Sequence, residues 1–135
     1  PTTCVRVIPV VYHLAEKLHA YTRTYAANRP SSRVKDLVDM VLIARNNSIA
    51  SDSLRDAIID VFSSRSSLEV PRRFVDPPAV WHDRYAALIK PIGIDEDMAA
   101  GASIARELFD GALARSDERI WDPAKLRWDA RDVSG

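Results

Sequence analysis

The chain has 135 residues, 47% of them hydrophobic, enough for one packed core, and its 19 basic and 19 acidic side chains cancel. That balance excludes a strongly basic nucleic-acid module. The single cysteine, Cys4, excludes an intramolecular disulfide and, with no Cys or His neighbours at ligand spacing, a zinc site.

The first segment, Cys4 to Val11 (CVRVIPVV), is rich in Val and Ile, alternates weakly and is broken by Pro9. It predicts a short edge strand or extended entry whose apolar side is left for a neighbour, which would make it a route to a homo-oligomer. Next, Val11, Leu14, Ala15, Leu18, Tyr21 and Tyr25 fall on one face at about 100° per residue, with Lys17 on its shoulder. After the polar run AANRPSS, Val34, Leu37, Val38, Val41 and Ala44 form a second stripe, while Met40 and Ile43 make the other side apolar too. The two segments predict a helical hairpin. On its second arm Asp36 and Asp39, about 60° apart around the axis, point into the partly apolar side, where carboxylates need a counter-charge.

A third helix is predicted over SDSLRDAIIDVFSSR, with Leu54, Ala57, Ile58, Val61 and Phe62 at helical spacing and Ser51 or Ser53 as cap. Pro71, Pro77 and Pro78 then exclude a continuous helix and predict an extended crossing over the core, pinned by Phe74. Trp81, Tyr85, Leu88 and Ile89 mark a fourth helix that begins near Pro78 and ends before Pro91. In the fifth, Met98, Ala102, Ala105, Leu108, Phe109 and Leu113 repeat behind an acidic start. The tail has little periodicity, and Trp121 and Trp128 are expected to clamp it to the core. The fold class is therefore all-α, a compact bundle of about five helices with a short extended N-terminal segment, in one domain over residues 1–135.

No apolar run reaches the roughly 18 residues of a membrane span, and the start has no signal-peptide pattern, so a soluble cytoplasmic protein is expected. Charge is unevenly placed. Residues 1–45 carry Arg6, Lys17, Arg23, Arg29, Arg33, Lys35 and Arg45 against Glu16, Asp36 and Asp39, a balance of +4, which leaves −4 for the rest. A phosphate-bearing partner such as a nucleotide or tRNA suits the positive part, as does a plain solvated face. His13 and His19, six residues apart, cannot chelate one metal in the i, i+4 manner, and no Ser-His-Asp order or Glu-x-x-His site is present.

Two motifs, HLAEKLHA from His13 to Ala20 and SRVKDLVDM from Ser32 to Met40, resemble the AbiEii family of nucleotidyltransferase-like toxins of bacterial toxin–antitoxin and phage-resistance systems. They match in order and spacing its E-K-L motif and its R-x-K-D-x-x-D motif. PPAVWHDRY (Pro77–Tyr85) and WDPAKLRW (Trp121–Trp128) are similar to that family's C-terminal region. The resemblance implies transfer of a nucleotidyl group from a nucleoside triphosphate to RNA, specifically tRNA, with magnesium required by the full-length enzyme and an antitoxin as a further partner. It assigns Lys17 to steadying triphosphate charge, Asp36 and Asp39 to orienting that lysine, and Arg33 and Lys35 to phosphate contact. No metal ligand is assigned.

The family's polymerase-β-like core, a Gly-Ser turn followed by Asp-x-Asp, lies upstream of these motifs and has no counterpart here, since the glycines are Gly93, Gly101, Gly111 and Gly135. The chain is thus expected to be the C-terminal helical half of such an enzyme and inactive alone. The alternative is a non-catalytic remnant acting as an RNA- or protein-binding module.

Overall fold

In the computed structural model, which describes residues 9–26, 34–65, 69–94, 96–114 and 118–130, helix α1 (Val10–Ala26) starts directly after Pro9. Proline at this point fixes φ for helix entry, and its carbonyl accepts the Tyr12 and His13 amides at 2.9 and 3.2 Å. Val10 and Val11 are therefore helical rather than the end of an extended segment. The remainder of that predicted strand, Cys4 to Ile8, lies outside the described residues.

Helix α2 (Val34–Asn46) returns beside α1, and α3 (Ser51–Arg65) packs on α1 as well. Leu14, Leu18 and Tyr21 of α1 meet Leu37, Met40 and Val41 of α2 and Leu54, Ile58 and Phe62 of α3, all sealed from solvent. Burying each such side chain is worth about 1.5–3 kcal/mol, so the apolar stripes decide which faces turn inward. The extended stretch 69–78 then crosses the bundle, and a 3-10 turn (Ala79–Trp81) leads into α4 (His82–Ile89). That helix ends before Pro91, as the sequence predicts, and the chain continues in a second 3-10 turn, Lys90–Ile92. Asp97 caps α5 (Met98–Ala114), its Oδ1 accepting the Ala100 amide at 2.9 Å.

The tail departs from the sequence reading. Arg119–Asp122 (β2) and Arg127–Ala130 (β3) form an antiparallel hairpin, and β2 also pairs with Ile49–Ala50 (β1), giving a small sheet of order β1-β2-β3 against an otherwise helical fold. The turn is built by Asp122, whose Oδ1 accepts the amides of Ala124 and Lys125 at 2.9 and 3.2 Å, and by Leu126 at φ 56°. Ser51, expected as a helix cap, accepts the Arg119 amide on its hydroxyl at 2.8 Å and so joins α3 to β2. Trp121 and Trp128 sit opposite each other in register, their rings edge to face at 5.5 Å. The expected clamp is present: Trp121 is fully buried and its indole donates to the Ala44 carbonyl at 2.8 Å. Trp128 donates to the carbonyls of Glu107 and Leu108 at 3.0 and 3.2 Å.

Two glycines of α5 admit aromatic side chains. A Cβ at Gly111 would stand 2.3 Å from the Trp128 indole nitrogen, and one at Gly101 would stand 2.0 Å from the Tyr85 hydroxyl oxygen. Gly111→Ala is therefore expected to destabilise the fold by about 1–3 kcal/mol through overpacking. In a Trp128→Ala background the same change should be neutral or gain up to about 1 kcal/mol from helix propensity. Urea melts of the four proteins check this, and additive effects would contradict the close approach.

Candidate functional site

Lys17 lies on the flank of α1 that faces α2, and Asp36 and Asp39, one turn apart on α2, both reach it. The Lys17 Nζ stands 2.9 Å from Asp39 Oδ2 and 3.6 Å from Asp36 Oδ1. The hairpin thus brings together the three residues that the sequence singled out. Their settings differ. The Asp36 side chain is 8% exposed, Asp39 26% and Lys17 33%. Asp36 also occupies the first turn of α2, where the helix dipole favours a negative charge. Hydrogen bonding to Asp39 raises the Lys17 pKa above its usual 10.5; partial burial opposes this, and the charges of Asp39 and Asp36 add to it. The lysine is therefore firmly cationic at neutral pH, while the three groups together sum to one negative charge.

The two phosphate-contact candidates fare differently. Lys35 is exposed on α2, and Arg33 lies outside the described residues. His19 is buried, its ring edge to face with Phe62 at 4.9 Å, so it belongs to the packing of α1 on α3. Among the described residues, no group of three or more His, Cys, Asp or Glu side chains is arranged to hold a metal.

The sequence reading missed how this centre is braced. Four residues after Lys17, Tyr21 stacks on Phe74 at 4.8 Å and an interplanar angle of 13°, and Phe74 stacks in turn on Phe109 of α5 at 5.8 Å and 9°. Tyr21 donates its hydroxyl hydrogen to the Val75 carbonyl at 2.5 Å, the Phe74 amide donates to Asp110 at 2.7 Å, and Arg106 pairs with Asp76. The only sequence signal was a lone aromatic in a proline-rich loop. A second polar cluster also went unread: Arg45 at the end of α2 pairs with Glu96, which accepts the Tyr85 hydroxyl at 3.0 Å. Burial, then the charge of Glu96, raises the Tyr85 pKa far above 10 and keeps the phenol neutral. A groove of about 690 Å³ runs between Pro77, Ala79 and His82 on one side and Met98, Ala102 and Arg106 on the other.

Lys17→Met removes a counter-charge from the nearly buried Asp36. It is expected to cost about 1–3 kcal/mol, between the limits for exposed and buried ion pairs, whereas Asp39→Asn should cost under about 1 kcal/mol. A raised lysine pKa contributes stability that is complete below the unfolded-state value and is lost as pH rises through the folded one. The urea-melt gap between wild type and Lys17→Met should therefore hold from neutral pH to about pH 10 and shrink above it. A gap that closes on the way down to neutral pH would contradict this pairing.

No curated protein and no solved structure matches the chain. The family described as nucleotidyl transferase AbiEii toxin, type IV TA system, matches residues 1–115, a span that holds Lys17, Asp36 and Asp39 but stops before the Trp121–Trp128 segment. With most of its length matched, and with both motifs inside that span, the chain belongs to the AbiEii nucleotidyl transferase toxin family of type IV toxin–antitoxin systems.

Proposed function

We propose that this chain is the accessory helical half of an enzyme that transfers a nucleotidyl group from a nucleoside triphosphate to tRNA, with Lys17 touching the triphosphate and Asp39 and Asp36 positioning Lys17. The observation that carries the reading is the shared lysine: its Nζ lies within 2.9 and 3.6 Å of two carboxylates, while a third of the side chain stays open to solvent. An ammonium has three protons to donate, and one engaged by Asp39 fixes its direction while leaving others for a phosphate oxygen. Transfer of this type depends on placement and electrostatics more than on covalent help from side chains. Asp36, being the more buried, sets where the lysine sits; Asp39, being nearer, sets where it points.

The magnesium implied by the family resemblance does not fit the described residues. Asp36 and Asp39 are engaged by Lys17, and among the described residues no third carboxylate joins them to form a ligand set. The polymerase-β-like half, with its own carboxylates, belongs to the same proposal. So do a role for Lys35 and Arg33 in phosphate contact, an antitoxin that opposes the activity, action in the cytoplasm and a contribution to phage defence.

In the full-length enzyme, Lys17→Met is expected to lower nucleotidyl transfer to tRNA at least about 100-fold in kcat/KM, the loss expected when a positioned charge is removed from a transition state. The folded fraction, followed by circular dichroism, should fall little. Unchanged activity per folded molecule would make Lys17 a structural residue and overturn its contact with the triphosphate.

A further inference from the structure

Lys17 is shared between two carboxylates, so a polyanionic acceptor brought to it draws on cations elsewhere on the surface. The stretch 69–78 holds a pair, Arg72 and Arg73, both exposed, and neither meets a carboxylate among the described residues. Arg45, Arg106 and Arg127, in contrast, each pair with an acidic side chain.

Four contacts hold the backbone next to this pair. Phe74 lies between the rings of Tyr21 and Phe109, its amide donates to Asp110, the Val75 carbonyl accepts the Tyr21 hydroxyl, and Asp76 pairs with Arg106. Arg72 and Arg73 therefore project from a fixed segment, so ordering them on a ligand costs less backbone entropy than it would in a loose loop. The same ring that fixes them fixes the catalytic candidate. Tyr21 follows Lys17 by four residues, about 6 Å of helix rise, so the stretch that carries the arginines is anchored to α1 one turn from Lys17.

We propose that Arg72 and Arg73 are a phosphate-contact site that holds the backbone of the RNA acceptor beside the Lys17 centre. This rests on the nucleotidyl-transfer reading above and extends it to residues outside the two family motifs. A guanidinium is suited to the role because its planar donor fork meets phosphate oxygens in pairs and it stays charged at every relevant pH. Such contacts position an RNA without reading its sequence.

The test is binding of fluorescein-labelled tRNA to the full-length protein, followed by anisotropy between about 50 and 200 mM KCl. Each phosphate neutralised contributes roughly 0.7–0.9 to the slope of log K against log salt, so Arg72→Gln with Arg73→Gln should lower the slope by about 1.4–1.8. Arg72→Lys with Arg73→Lys should restore most of it. Removing two exposed cations at other places, Lys90→Gln with Lys125→Gln, should leave it unchanged. An unaltered slope in the Arg-to-Gln protein, an equal fall in the Lys90 and Lys125 control, or no tRNA binding by the wild type would each overturn the proposal. The two proposals fail separately. An active Lys17→Met enzyme with a reduced slope in the arginine variant removes only the catalytic role, and an inactive one with an unaltered slope removes only the arginine contact.

Discussion

A carboxylate in the wall of a buried helix needs a counter-charge, and in this protein that requirement sets how α1 lies on α2. Asp36 is almost wholly withdrawn from water, and Lys17 meets it from across the helix pair. An isolated charge in that position would cost several kcal/mol, so arrangements of α1 that carry Lys17 away from α2 are disfavoured well beyond what apolar packing alone would impose. The apolar stripes choose which faces of the two helices turn inward, and the ion pair adds a preference for their height and rotation within that face. A centre that resists displacement in this way is also suited to presenting a charge in one direction.

From this pair the constraint passes to the rest of the bundle through aromatic rings. Tyr21 carries the orientation of α1 into Phe74, and Phe74 carries it into Phe109 of α5, with Trp81 edge on to Tyr21 at 5.8 Å. At the other end of the bundle, Arg45 and Glu96 tie the close of α2 to the approach of α5, and Tyr85 brings α4 into the same cluster. Tyr12 adds an exposed link, donating to Asp60 of α3 at 2.8 Å. The helices that present the charged centre are thus held at several points along their length.

The helices and the placement of Lys17, Asp36 and Asp39 were legible in the sequence from local periodicity, and the resemblance to the family motifs singled out those three as a site. Spacing at 100° per residue put Lys17 on the shoulder of α1 and both aspartates on the less apolar side of α2, and a hairpin needs little more to join them. The sheet was not legible. Its first strand, Ile49–Ala50, has two residues and pairs with partners some 70 positions later, and its hairpin turn puts Leu126 in the left-handed region where Gly or Asn would have announced a turn. The role of Phe74 was half visible: an aromatic in a proline-rich crossing suggested a pin, but its partners Tyr21 and Phe109 are separated along the chain and share no pattern. Arg72 and Arg73 carry no signal in the sequence for the same reason, since what distinguishes them is the fixed backbone next to them.

The family match ends at residue 115, yet the hairpin beyond it is built into the core. Trp121 fills interior space and binds the Ala44 carbonyl, and Trp128 lies in the gap that Gly111 leaves in α5. A boundary drawn by family likeness would therefore cut through a single packing unit. A fragment trimmed to that boundary would expose the hollow left by a large indole, together with the apolar ends of α2 and α5, and such a surface favours aggregation. In this protein the packed core reaches past the span that the family model matches.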